Sequence, residues 1–159
     1  MMHRPIVMQK VVDFMREGQL GFEGGLGEIE AYANELGIPI VPHETAKFLD
    51  FFTATMQPSQ ILEIGTAIGF SASLMAQHLQ ADGHLTTIDR YEKMYERAKE
   101  NFKKLGLEDR ITLIEGDAAD VLPTLEGSYD LIFMDSAKAK YIEFYPECMR
   151  LLRQGGVLI

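Results

Sequence analysis

The sequence predicts an α/β domain built on a parallel sheet. Three observations carry this: short apolar strands alternate with helices from residue 60 onward, a glycine-bearing turn follows the first strand, and acidic residues recur at strand ends. Residues 60–64 (QILEI) read as the first strand and 70–80 as a helix. Residues 84–89 (HLTTID) are the second strand, 91–104 a helix and 110–115 (RITLIE) the third strand. A short helical turn is expected at 118–123, a strand at 129–135 (YDLIFMD), a helix at 139–153 and a strand beginning at 156–159 (GVLI). Each crossover in such a sheet is right-handed.

Ahead of this core, Met8, Val11, Val12 and Met15 fall at helical spacing within residues 6–16, which predicts an amphipathic helix. Its apolar stripe needs a cover, either the chain's own core or a second copy in a homodimer. Five glycines in residues 18–27 read as a flexible connector, or as a lid over a site. Helices are expected at 28–36 and 43–56, separated by Gly37, Pro39 and Pro42. The chain therefore divides into an N-terminal helical segment, 1–57, and an α/β core, 58–159. A strand opening after Gly155-Gly156 normally runs for about 5–6 residues. The expectation is a chain truncated at the start of its fifth strand.

The 159 residues carry a formal net charge of −9, with 47% hydrophobic and 25% charged residues, the balance of a globular protein. An acidic chain repels phosphate backbones at long range, which argues against broad nucleic-acid binding. A local basic patch could still hold a structured RNA. Cys148 is the one cysteine, so an internal disulfide is excluded. The N-terminal run MMHRPIVMQKVVDFMREG is too polar for a signal peptide, and no stretch approaches the ~20 apolar residues of a membrane span. A soluble, cytoplasmic protein is the expectation.

Chemistry concentrates at four places. The first is Leu62-Glu63-Ile64-Gly65-Thr66-Ala67-Ile68-Gly69-Phe70-Ser71, at a strand-to-helix turn. Gly65 allows a sharp turn, and Gly69 allows close approach of a ligand to the backbone. The following helix offers free N–H groups to an anion, and Ser71 adds a hydroxyl donor. The G-x-x-x-G spacing departs from the dinucleotide fingerprint. Tight packing is the alternative reason for both glycines. The second place is Asp89, 24 residues past Gly65, where a carboxylate can accept the ribose hydroxyls of a nucleoside or cap the next helix. The third is Gly116-Asp117-Ala118. There Asp117 can accept an adenine amino group while Ala118 leaves room for the ring; an N-cap role is the alternative. The fourth is Asp135-Ser136-Ala137-Lys138-Ala139-Lys140-Tyr141. A strand-end carboxylate suits Mg²⁺, and a lysine beside a metal can serve as a base. A solvated helix-start lysine is the alternative there. Glu63, Asp89, Asp117 and Asp135 would crowd one rim, which is costly unless they meet ligands or a cation.

Other features read as structural. Glu92, Glu96 and Glu100, with Lys99, Lys103 and Lys104, form a solvent face. His3, His43, His78 and His84 share no metal-ligand spacing. Cys148 reads as a packed thiol. Phe48, Leu49, Phe51 and Phe52 read as core or dimer contacts.

In order, LEIGTAIGFSA, TTIDRYEKMYERAKENFKKLG, EGDAADVLP and DLIFMDSAKAKY resemble the successive motifs of the cation-dependent O-methyltransferases, the family of catechol and caffeoyl-coenzyme A methyltransferases. The resemblance covers about residues 30–159. Within the family, EAYANELGIPI is similar to small bacterial members, including the tRNA 5-hydroxyuridine methyltransferases. The resemblance implies a Rossmann-like class I fold and an S-adenosylmethionine cofactor. It implies cofactor contacts at Val41, Glu63, Gly65, Thr66, Gly69, Ser71, Asp89, Arg90, Gly116, Asp117, Ala118 and Asp135. It further implies that Asp135 is a metal ligand, that Lys138 matches the catalytic lysine, and that the other metal ligands follow the strand beginning at Gly156. The acceptor it implies is an acidic hydroxyl, on tRNA or on a catechol-like small molecule. Two other classes stand beside this reading: a nucleotide-dependent oxidoreductase and a non-catalytic cofactor-binding fragment.

Overall fold

The computed structural model describes residues 8–136 and 138–159, with Lys138 described in its backbone alone. Helices α1 (Gln9–Glu17), α2 (Gly24–Leu36) and α3 (His43–Met56) precede the first strand, β1 (Gln60–Ile64). There follow α4 (Phe70–Ala76), β2 (His84–Asp89), α5 (Glu92–Leu105) and β3 (Ile111–Glu115). The chain continues through α6 (Ala118–Val121), β4 (Tyr129–Met134), α7 (Tyr141–Leu151) and β5 (Leu152–Leu158).

The five strands form one sheet in the order β3-β2-β1-β4-β5, and every pairing is parallel. Sequence order reverses at β1, which pairs with β2 on one side and β4 on the other. Such a switch point opens a crevice beyond the carboxyl ends of the strands. Side chains alternate across the sheet with period two. Ile61 and Leu131 join Leu26, Leu49, Leu74 and Phe102 on the face covered by α2–α5. Leu62, Ile64 and Ile132 join Phe144 and Leu151 on the face covered by α6 and α7. Both faces being buried, the strands read as nearly continuous apolar runs. Each fully buried Leu or Ile contributes about 1.5–3 kcal/mol.

The described residues revise four sequence expectations. The amphipathic helix spans Gln9–Glu17, with residues 6 and 7 outside the described set, and no side chain on it is buried. The core of this chain therefore leaves its apolar stripe uncovered, and Phe14 is 76% exposed. Arg16 ties the helix to α3 through two bonds to Glu44, at 2.7 and 3.1 Å. The glycine-rich segment is not all connector, because α2 starts at Gly24. Packing requires Gly27, where a Cβ would lie 2.2 Å from the Phe22 carbonyl oxygen, while at Gly25 a Cβ would press on the movable end of Leu105, 2.3 Å from its Cδ2. The helix expected to reach residue 80 ends at Ala76. The last helix ends at Leu151, and β5 begins four residues earlier than expected, carrying Gly155 at φ +76° beside a register shift against β4.

Phe48 and Phe51 are exposed, while Leu49 is fully buried. The solvent face of α5 carries ion pairs from Lys99 to Glu96 and from Arg97 to Glu100. Cys148 is buried, and burial pushes its thiol up to about 11. His3 lies outside the described residues. Among the described residues no helix is long and apolar enough to cross a membrane.

Candidate active site

A cavity of about 820 Å³ opens at the switch point. The ends of four strands line it: Ile64-Gly65-Thr66 after β1, Ile88-Asp89-Arg90 after β2, Gly116-Asp117-Ala118 after β3 and Asp135-Ser136 after β4. Val41 and its neighbours in the α2–α3 connector form the opposite wall, with Ser71, Tyr91, Met94, Lys140 and Phe144 completing the lining.

The β1–α4 turn is held from both flanks. Gly65 adopts φ +106°, and a Cβ there would meet the Asp135 carbonyl oxygen at 2.3 Å, so only glycine lets these two strand ends pass. Ala67 also sits in the left-handed region, at φ +44°. Its N–H donates to Asp89 Oδ2 at 2.8 Å, and the Tyr91 N–H donates to Asp89 Oδ1 at 2.8 Å. Asp89 thus fastens the glycine turn to the start of α5. Each carboxylate oxygen accepts about two hydrogen bonds, so both retain capacity for a ligand donor.

Gly69 has a different role from the expected ligand approach. It adopts φ +78°, lies outside the cavity lining, and would place a Cβ 2.5 Å from Phe102 Cε1. It is glycine because α5 packs against it.

Glu63 is not among the residues lining the cavity. It is fully buried and stands off the rim, on the sheet face covered by α4. The Ser71 hydroxyl donates to its Oε1 and the Thr87 hydroxyl to its Oε2, both at 2.6 Å, and Thr66 joins Thr87 at 2.6 Å. Burial pushes the Glu63 carboxyl up to about 8, partly opposed by the two hydroxyl bonds and reinforced by Asp135 and Asp89. The charge crowding expected of four acids is therefore relieved by burying one of them as a neutral acid.

Asp117 performs the capping role. Its Oδ1 accepts the Ala119 N–H at 3.0 Å, and its Oδ2 accepts Arg90 Nη1 at 2.7 Å. The backbone bond and the Arg90 guanidinium hold this carboxyl below its ordinary range. Asp135 is exposed at the rim, and the Ser136 hydroxyl is buried against the cavity without a hydrogen-bond partner among the described residues. The Lys138 side chain lies outside the described residues. Lys140, part of the fourth sequence site but given no role there, lines the cavity and pairs with Glu143 at 2.6 Å.

Of the expected contacts, Val41, Gly65, Thr66, Ser71, Asp89, Arg90, Gly116, Asp117, Ala118 and Asp135 are brought together around the cavity, whereas Glu63 and Gly69 stand behind it. Of the connector at 39–42 the resemblance implied Val41 alone, whereas Pro39, Ile40 and Pro42 line the cavity with it. Its run of alternating proline and aliphatic residues, PIVP, was the available signal.

This arrangement defines a doubly wound α/β protein whose switch-point cavity is lined by a glycine turn and strand-end acids. A family profile described as O-methyltransferase matches residues 27–159, and the chain belongs to that family. It is 34% identical over 128 residues to a catechol O-methyltransferase of Mycobacterium tuberculosis (strain ATCC 25618 / H37Rv), a match covering 80% of this chain and 58% of that one. Its fold superposes on an SAH-bound methyltransferase of Podospora anserina with a TM-score of 0.85 and 29% identity, covering 94% of this chain and 66% of that one. An O-methyltransferase of Bacillus cereus in complex with SAH gives a TM-score of 0.83 at 26% identity, covering 94% and 70%. The chain spans 58–59% of the length of the two catechol O-methyltransferases it matches.

Proposed function

We propose that the cavity binds S-adenosylmethionine and that the protein transfers its methyl group to an acidic hydroxyl of a catechol-like small molecule. The observation that carries this reading is the convergence of Gly65, Asp89, Asp117 and Asp135 on one cavity at the switch point. Its volume suits a small-molecule cofactor, for which pockets of about 300–1,000 Å³ are usual. The walls mix apolar surface from Val41, Ile88 and Ala118 with a few polar groups, and Ser136 offers an unsatisfied buried hydroxyl. Family membership and the catechol O-methyltransferase name of a relative support the choice of reaction and acceptor.

In this reading Asp89 accepts the ribose hydroxyls with its remaining lone pairs while its other bonds keep the turn in place. Gly65 and Thr66 form the surface against which the cofactor lies, and Ser71 presents its hydroxyl oxygen from the floor. Bound S-adenosylmethionine supplies a sulfonium methyl, whose C–S bond breaks as the acceptor oxygen bonds to carbon. Since that donor is already activated, the protein contributes alignment and exclusion of water. Lys138 takes the hydroxyl proton.

We read Asp135 as one ligand of a divalent cation such as Mg²⁺. Mg²⁺ uses one or two carboxylates and completes its shell with water and substrate oxygens. Among the described residues no three of His, Cys, Asp and Glu converge as a ligand set, and Asp135 is the ligand read here. A cation there would lower the pKa of the acceptor hydroxyl.

The test is labelled-methyl transfer from S-adenosylmethionine by the intact protein, offered catechols or hydroxyuridine-containing tRNA, with and without Mg²⁺. The reading predicts cation-dependent methylation of the catechol. Transfer to tRNA alone would replace the acceptor, and NADH binding with no methyl transfer would replace the reaction class.

A further inference from the structure

Arg90 makes two bonds at the cavity mouth. Its Nη1 donates to Asp117 Oδ2 at 2.7 Å and its Nη2 to the Tyr91 hydroxyl at 2.9 Å, with the guanidinium 5.0 Å from the centre of the Tyr91 ring. Asp117 is gripped twice, since its other oxygen caps α6 through the Ala119 N–H. Arg90, Tyr91 and Asp117 all line the cavity, and Gly116 and Ala118 flank Asp117 without bulk. One end of the cavity thus holds a carboxylate that cannot turn away. The donors that could neutralise it are already placed: one faces the carboxylate and one faces the Tyr91 hydroxyl.

Resting on the cofactor reading above, we propose that Arg90 is a positioning residue that makes this end of the cavity selective for an amino-substituted purine over its oxo counterpart. A fixed carboxylate offers lone pairs and no proton. An exocyclic amino group can donate to it, whereas a carbonyl at the same place meets oxygen against oxygen. A site built to pair with a donor rejects the analogue that sets an acceptor in its place, even where, as at Asp117, the carboxylate is only partly buried. Without Arg90, Asp117 loses the bond that fixes Oδ2 and can rotate to solvent. The amino and oxo ligands then differ less. Tyr91 serves as the second anchor, keeping the guanidinium over the mouth.

The experiment is calorimetric titration of the intact protein with S-adenosylhomocysteine and with S-inosylhomocysteine, its 6-oxo counterpart. Wild type is expected to prefer the amino ligand at least about tenfold, the ratio that ~1.4 kcal/mol of lost pairing gives. Arg90→Met, which keeps an unbranched apolar stem and removes the cation, should bring the two affinities within about threefold, mainly by weakening the amino ligand. Tyr91→Phe should give an intermediate ratio, and Arg90→Lys a partial recovery. Arg90 is about half exposed, so these variants fold, and near-ultraviolet circular dichroism checks that they do. Tight S-adenosylhomocysteine binding with a ratio unmoved by Arg90→Met would overturn the inference and leave the cofactor reading standing. Failure of wild type to bind either ligand would overturn the cofactor reading and the inference with it.

Discussion

The Ser71 hydroxyl donates 2.6 Å into a Glu63 carboxyl that has no exposure to solvent, immediately behind the cavity wall that Ser71 helps to form. A single bond therefore links a buried acid to the surface where the cofactor is proposed to lie. The pair also explains how a strand packed on both faces tolerates a glutamate. Thr87 supplies the second hydroxyl, and burial keeps the proton on the acid up to about pH 8.

That proton sets a pH dependence of stability. The unfolded carboxyl titrates near 4.5 and the folded one near 8, so between these values the folded chain holds a proton that the unfolded chain has released. The contribution to stability is complete below pH 4.5 and is lost as pH rises to 8, at about 1.4 kcal/mol per pH unit. Glu63→Gln keeps the shape of the side chain and one carbonyl acceptor and removes the titration. Urea unfolding from pH 5 to 9 should show wild type losing stability relative to Glu63→Gln across that window. Parallel curves for the two proteins would contradict the buried neutral acid.

Gly69 is predicted to be intolerant for reasons of packing and backbone together. A Cβ would press on the Phe102 ring at 2.5 and 2.8 Å, and φ +78° is unfavourable for alanine. Gly69→Ala should cost about 2–4 kcal/mol, the sum of a left-handed residue and an overpacked contact. Introduced beside Phe102→Leu, the same change should cost at least ~1 kcal/mol less, since the ring contact is gone and the backbone part and the tight approach to Ala98 Cβ at 3.2 Å remain. Strict additivity of the two substitutions in urea unfolding would show that the ring contact is not the cause.

Asp135→Ala separates cofactor binding from the cation. Loss of its carboxylate should reduce Mg²⁺-dependent methyl transfer by about 100-fold or more, while S-adenosylhomocysteine affinity falls much less. Turnover that persists at the wild-type level, with its Mg²⁺ dependence intact, would remove Asp135 from the cation's ligands.

Much of the fold is legible in the sequence, and the exceptions have physical causes. Strand and helix alternation from residue 60 gave the parallel sheet, because short apolar runs between turn signals carry that information locally. Placing Gly65, Asp89 and Asp117 on one crevice followed from the rule that ligands gather at carboxyl strand ends. Glu63, read as one of four acids at or near the strand ends, is buried because period-two alternation sets it on the same face as Ile61, beneath α4. Gly69 was read for a ligand because its partner, Phe102, lies 33 residues away, where sequence spacing has no reach. Gly25 and Gly27 looked like a connector for the same reason: their cost in a helix, about 1 kcal/mol each, is offset by close contacts with Leu105 and Phe22 that only the fold creates. The Arg90–Asp117 pair joins two strand ends that neither motif alone could relate.

The account depends most on the cavity being a nucleoside cofactor site, and titration calorimetry with S-adenosylhomocysteine tests that directly. The protein is predicted to bind it saturably with one site per chain. Asp89→Ala should weaken binding about tenfold or more, a loss of ~1.4 kcal/mol, by freeing the Ala67 turn and removing the ribose acceptor. An absence of binding heat from wild type, or an affinity that Asp89→Ala leaves unchanged, would contradict it.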